Sequence, residues 1–326
     1  MRTTLCFGEA LIDFHAQPPA TPDAPPAYLP FAGGAPANVA VAVAKLGGDA
    51  AFIGMLGADA FGDLLAKSLG EAGVDMQYVT RTDEANTALA FVSLDANGER
   101  SFTFYRPPAA DLLYRAEDFP APAFERAGIF HVCSNSLTEA GIAATTLEGM
   151  ARAHATGTLV SFDMNLRPAL WPRNEDPTPR LWQALHAADV VKLSTEELDF
   201  LAQPLSGEAA VLAKLWQGRA RWLVITDGDA PIRWFTPDSD GTLTAYKVPA
   251  VDTTGAGDAF VGGLIYGLEQ AGVTPDSLGA FVTHASQRDD VLRFAAACGA
   301  VAVSRRGSFE AMPTPETARQ LMAEHA

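Results

Sequence analysis

Short apolar, β-rich runs alternate with longer Ala- and Leu-rich stretches along most of the chain. The runs are TTLCF (3–7), AAFIG (50–54), GIFHVC (128–133), TLVSFD (158–163), ADVVKL (188–193) and RWLVIT (221–226). Unbroken apolar runs suit strands covered on both faces, and their alternation with helical patterns predicts a mostly parallel sheet flanked by helices. Polar residues follow nearly every run: Glu9 and Asp13, Ser134 and Asn135, Asp163 and Asn165, Lys192 and Ser194, Thr226 and Asp227. In a parallel sheet those ends gather on one edge, where open α/β sheets bind ligands.

Two segments break this rhythm. NTALAFVSLDANGERSFTFYR (86–106) holds two strand-like runs around Asn97-Gly98, a dipeptide suited to the positive φ values of a tight turn. It predicts an antiparallel hairpin outside the main sheet. QPPATPDAPPAYLP (17–30) carries six prolines, too few backbone donors for a central strand or a helix, and reads as an extended strap. The predicted organisation is a core of 1–12, 34–85 and 109–326 with a small β-rich lid of 13–33 and 86–108. In GGAPANVAVAVAKLGG (33–48) the Val/Ala alternation imitates a strand, but its length, alanine content and terminal glycines favour a buried helix starting near Pro36 or Ala37. Gly33 and Gly34 then read either as a plain loop or as a close approach of backbone to ligand.

With 48% hydrophobic and 19% charged residues in 326, the chain is long and apolar enough to fold into a compact core. A net charge of -16 disfavours nucleic-acid partners, so a small anion would need a local positive site. Cys6, Cys133 and Cys298 lie far apart with no CxxC spacing, which reads as reduced thiols in a cytoplasmic protein without a membrane anchor. The six histidines form no recognisable ligand pair.

The most informative stretch is VDTTGAGDAFVGG (251–263). If AFVGGLIYGLEQA continues as a helix, Gly255, Ala256, Gly257 and Asp258 form its first turn, whose free N–H groups and dipole favour an anion. Small residues admit phosphate to those donors, and Thr253 and Thr254 add hydroxyls. The spacing fits neither GxGxxG nor GxxxxGK[ST]. A carboxylate beside phosphate donors needs a task, and in phosphoryl transfer that task is to orient and deprotonate an attacking hydroxyl. A carboxylate of ordinary pKa, about 3.9, would be ionised there at neutral pH.

DTTGAGDAF (252–260) and GGAPANVAVAVAKLGG (33–48) resemble the two signatures of the ribokinase, or phosphofructokinase B, family of carbohydrate kinases. CFGEALIDF, FYRPPAAD, FDMNLRPALWP and KLSTEEL are similar to its fructokinase members. The resemblance covers essentially the whole chain. It implies a ribokinase-like three-layer α/β/α fold with a β-rich lid, and an ATP-dependent, Mg²⁺-requiring kinase acting on the C6 hydroxyl of D-fructose. It further implies Asp258 as catalytic base, the Gly255 to Asp258 amides as anion hole, and Asp13, Gly33, Gly34, Asn38, Arg106, Asn165 and Arg167 around the sugar. Lys192, Thr226, Gly228, Ala296 and Cys298 would border the nucleotide, Glu197 would organise hydrated magnesium, and Asp252 with Thr254 would sit near a monovalent cation such as K⁺. Three positions depart from the family pattern: Ser194 replaces Asn before Glu197, Pro231 ends TDGDAP, and Ala296 stands where relatives carry Asn. A 2-keto-3-deoxygluconate kinase remains an alternative, with Tyr105, Arg106 and Arg167 serving a carboxylate, as does a catalytically silent sugar or nucleotide sensor. Phe102 and Phe104 on the lid imply burial in a homodimer.

Overall fold

The computed structural model describes residues 2–17, 21, 24–94 and 100–325, without the side chains of residues 94 and 100–102. The Asn97-Gly98 turn and much of the proline-rich strap lie outside the described residues.

Nine strands form the main sheet: β1 (Thr3–Phe7), β4 (Ala50–Gly57), β5 (Asp75–Thr82), β8 (Ala127–Cys133), β9 (Leu159–Asp163), β10 (Val190–Ser194), β11 (Trp222–Thr226), β12 (Ile232–Phe235) and β13 (Asp240–Leu243). Their spatial order is β13-β12-β11-β10-β9-β8-β1-β4-β5. All pairs from β11 to β5 are parallel, and β12 and β13 add an antiparallel edge. Each of the six apolar runs is a strand of this sheet. On β1, Cys6 faces one core layer and Leu5 and Phe7 face the other, so alternate side chains are buried in both directions and no polar face survives in the sequence. The strands without an apolar run lie at the edges. DMQYVTRT of β5 is half-exposed along its length, and β12 and β13 have four residues each.

Among the described residues, four strands make a second sheet in the order β3-β2-β6-β7: β2 (Leu11–Gln17), β3 (Ala27–Gly33), β6 (Leu89–Leu94) and β7 (Arg100–Tyr105). β6 and β7 pair antiparallel, as the hairpin pattern predicts, while β2 and β6 run parallel.

GGAPANVAVAVAKLGG is helical over Ala35–Lys45, slightly earlier than its pattern indicates, because Gly34 serves as N-cap and Pro36 fits the first turn. This helix packs on Ala256–Gln270, which packs in turn on Ala285–Val303. The contacts are close because a Cβ on Gly262 would lie 2.4 Å from the Ala42 Cβ, and one on Gly263 would lie 2.8 Å from the Cys298 Sγ. The glycines late in VDTTGAGDAFVGG therefore serve helix packing. The three cysteines are buried and free, and no helix among the described residues is long and apolar enough to cross a membrane.

Candidate active site

β1 is the switch strand of the main sheet: the chain leaves it for β4 on one side and β8 on the other. At such a reversal, the loops after neighbouring strands diverge and open a crevice. Here the crevice is a cavity of about 410 Å³, lined by Glu9, Asn135, Asp163, Asn165, Arg167, Lys192 and Glu197 from the strand ends. The start of Ala256–Gln270 supplies Gly255, Gly257 and Asp258, the start of Ala35–Lys45 supplies Asn38, and the second sheet adds Leu11, Asp13 and Phe104. A second cavity, of about 360 Å³, is walled by Ala245, Val248, Ala296 and Val303 with Thr226 and Gly228 at one side. Thr253 and Gly257 line both cavities, so the two meet at the helix start.

Gly255 caps that helix at φ 73°, the left-handed region open to glycine at little cost. The amides of Gly255, Gly257 and Asp258 donate to no carbonyl among the described residues, whereas Ala256 N turns back to the Thr253 carbonyl at 3.3 Å. Three of the four expected anion donors are thus free. Lys192 stands over the same turn, 3.3 Å from where a Gly257 Cβ would be. Its Nζ lies 3.2 Å from Asp163 Oδ1. Burial opposes its charge, but Asp163, Glu197 and Asp258 outweigh burial and raise its pKa. Lys192 therefore borders the first cavity at its junction with the second.

Asp258 is buried yet lines the first cavity. Asn38 Nδ2 donates to its Oδ2 at 2.7 Å and Asn165 Nδ2 to its Oδ1 at 3.3 Å. Asn165 holds φ 37°, a conformation Asn tolerates better than most residues. The sequence leads one to expect an ordinary acid, but burial lifts Asp258 to about 6, helped by Asp163 and opposed by the Asn38 hydrogen bond, Arg167 and Lys192. If this carboxylate is the base, kcat/KM falls as pH drops through about 6, because the proton then occupies the accepting oxygen. Asn38→Ala removes a bond that favours the ionised form, so the acid limb should move to higher pH. A pH profile of kcat/KM for both proteins checks this, and an unmoved limb would contradict it.

Asp13 is pushed up to about 7 by burial and by the fields of Asp258, Asp252 and Glu9. Gly33 is not a wall of the cavity. A Cβ there would lie 2.2 Å from Asp13 Oδ2, so its bareness makes room for that carboxylate. Gly34 does line the cavity, with its φ of 105° and its Cβ position blocked by the Glu9 carbonyl.

Three other expectations need correction. Arg106 does not reach either cavity: Nε and Nη2 donate to Asp111 Oδ2 at 2.9 and 2.6 Å, and Nη1 to the Asn135 carbonyl at 2.7 Å. An arginine desolvated this completely stays where its carboxylate is. Cys298 points into helix packing against Gly263, away from the second cavity. Phe104 is half-buried and faces the first cavity, so it is not an exposed apolar residue awaiting a partner. The side chain of Phe102 lies outside the described residues.

Glu197 accepts from Leu166 N at 2.7 Å and Ser194 N at 2.8 Å, while Ser194 Oγ caps Glu197 N at 3.1 Å. Ser194, the departure from the family pattern, thereby completes a capping box. Asp252 accepts from Thr254 N at 2.8 Å and Gly307 N at 3.3 Å. No cluster of three or more His, Cys, Asp and Glu suited to a metal ion occurs among the described residues. The sequence pattern puts Glu9 and Asn135 at strand ends without giving them a role, and both line the cavity.

The sequence model described as pfkB family carbohydrate kinase matches residues 1–315. Fructokinase-1 of Oryza sativa subsp. japonica is 42% identical over 317 residues, covering 97% of this chain and 96% of that protein. A Xylella fastidiosa fructokinase crystallised with bound ATP superposes with a TM-score of 0.95 at 54% identity, covering 99% of this chain and 98% of that one. A Vibrio cholerae O395 fructokinase, bound to fructose, ADP and calcium ion, gives 0.85 at 34% identity, covering 98% and 99% respectively.

Proposed function

The chain belongs to the pfkB family of carbohydrate kinases, and from that membership we propose that it transfers the γ-phosphoryl group of ATP to the C6 hydroxyl of D-fructose, giving fructose 6-phosphate. The observation that carries this reading is the meeting of the two cavities at the free Gly255, Gly257 and Asp258 amides, with the Asp258 carboxyl on the first.

In this reading the first cavity holds the sugar. Asp258, steered by Asn38 and Asn165, takes the proton of the attacking hydroxyl. The three amides and Lys192 stabilise the charge on the transferred group, and fixed donors in a site closed to water are worth more than the same donors in solvent. Leu11, Asp13 and Phe104 bring the second sheet over the sugar, so its closure as a lid would keep water from the phosphoryl group. The apolar walls of the second cavity suit an adenine ring, with Thr226 and Gly228 toward ribose and phosphate. Bound to the triphosphate, magnesium would supply charge neutralisation, with Asp163 and Glu197 positioned to orient its water shell. For K⁺ the candidate position is the loop held by Asp252 and Thr254. Tyr28, Leu29 and Tyr105, exposed by 38, 49 and 64%, lie on the second sheet, and their burial against a second copy would give a homodimer.

A sugar acid fits this pocket less well. Arg106 is committed to Asp111, so of the two arginines a carboxylate would recruit only Arg167 lines the cavity, amid Glu9, Asp13, Asp163 and Asp258. A silent binder has no need of a carboxylate aligned by two amides. The test is ADP release with a panel of sugars. Brisk turnover of D-fructose with weak turnover of 2-keto-3-deoxygluconate is expected, and the reverse order would reject the assignment.

A further inference from the structure

Glu9 follows the switch strand β1 and is 1% exposed, yet it lines the sugar-side cavity. Its Oε1 accepts from Asn135 Nδ2 at 2.9 Å and from Ala35 N at 3.2 Å. Its Oε2 is approached by the Cys133 thiol at 3.8 Å, a weak donor that leaves most of a carboxylate oxygen's accepting capacity unused. The neighbouring Asn135 Oδ1 is buried without a hydrogen-bond partner. A buried amide oxygen without a donor, beside a carboxylate oxygen met by a weak thiol donor, on one wall of a cavity calls for a ligand that brings O–H groups.

The wall is held from behind. Arg106 donates to the Asn135 carbonyl and is itself gripped by Asp111. Its charge, close to Glu9, partly offsets the cost of burying that carboxylate. Asp13 lies in the fields of both Asp258 and Glu9, and all three carboxyl residues line the same cavity. Glu9 is held by Asn135 and Ala35, and Asp258 by Asn38 and Asn165, so a sugar whose reacting hydroxyl faces Asp258 meets Glu9 and Asn135 with a different part of its ring.

We propose that Glu9 and Asn135 form the specificity-determining end of the sugar site, accepting hydrogen bonds from the hydroxyls on C1 and C2 of a ketose, with Arg106 as the positioning residue behind them. The inference rests on the fructokinase reading. It adds that discrimination is made at the end remote from the chemistry, where a hydroxyl donor is welcomed and a carboxylate is repelled. A site built to bond a hydroxyl penalises the analogue lacking it, because its own acceptors are then left unpaired.

The test compares kcat/KM for D-fructose, 1-deoxy-D-fructose and 2,5-anhydro-D-mannitol, which lacks the anomeric hydroxyl, on the wild-type enzyme and on Glu9→Gln. For the wild type, a loss of about 10- to 100-fold is expected on at least one of the two analogues. In Glu9→Gln, fructose itself should lose a similar factor, carried by KM, and the preference for fructose over that analogue should shrink several-fold. The acid limb set by Asp258 should stay in place. Equal use of all three sugars by the wild type overturns the inference even if the variant does not fold, and so does a Glu9→Gln enzyme that keeps the full preference. Absence of any fructose turnover would instead sink the fructokinase reading.

Discussion

Replacing Asp258 with Asn is expected to lower kcat on fructose by about 10²- to 10⁴-fold while sugar and nucleotide still bind. The amide is nearly the same size and can still accept from Asn38, so the pocket keeps its shape, but it cannot take up the hydroxyl proton. Loss of the fold is distinguishable from loss of the base. Burial raises Asp258 to about 6 in the folded protein, above its unfolded value of 3.8. Its contribution to stability is therefore fully present below the unfolded value and is lost as pH rises through about 6. At pH 8 the wild-type protein carries the cost of a buried charge, which the neutral amide of the variant avoids. The variant should thus melt no lower than wild type at pH 8 while being nearly inactive. Retained turnover would remove Asp258 from the mechanism.

Much of this site is legible in the sequence because parallel strands send their ends to one edge. Asp163, Asn165, Lys192 and Thr226 stand out as polar residues after apolar runs, and each lines one of the two cavities. Glu9 and Asn135 carry the same signal, but position alone does not say what a buried acceptor lacks. That becomes visible only in the structure, where the Asn135 Oδ1 has no donor. Arg106 misleads for a different reason. It follows a lid strand, as a sugar contact should, yet its guanidinium turns inward to Asp111, five residues on. Cys298 has a place in a helix that suggests the nucleotide, and the close approach at Gly263 turns it into packing. The pKa of Asp258 is hidden from the sequence because desolvation depends on what covers a group, and that is set by segments more than two hundred residues away, such as the one carrying Asn38.

The helix start offers the second large effect and its own control. Gly255 and Gly157 hold almost the same positive φ, 73° and 72°, but only Gly255 caps the helix whose amides open between the cavities. Gly157 sits in a turn with nothing within 4 Å of where a Cβ would lie, so alanine there meets backbone strain alone. That strain is worth about 1–2 kcal/mol for an L-residue in the left-handed region. At Gly255 the same substitution adds a methyl group 3.2 Å from the Met312 Cε and 3.8 Å from Asn38 Nδ2. The Asn38 approach is an ordinary contact, but Met312 is buried, so relief of its tight contact falls on the cap and moves the donors away from the transferred phosphoryl group. Gly255→Ala should therefore lower kcat by about 10²- to 10³-fold, the scale of losing a preorganised donor. Gly157→Ala should lower Tm by a comparable amount and leave kcat untouched. Because both variants place an L-residue at a positive φ, a loss of kcat in Gly255→Ala alone separates the geometry of the amides from the general cost of that backbone strain. Equal kcat values in the two would mean that these donors do not carry the charge of the transition state.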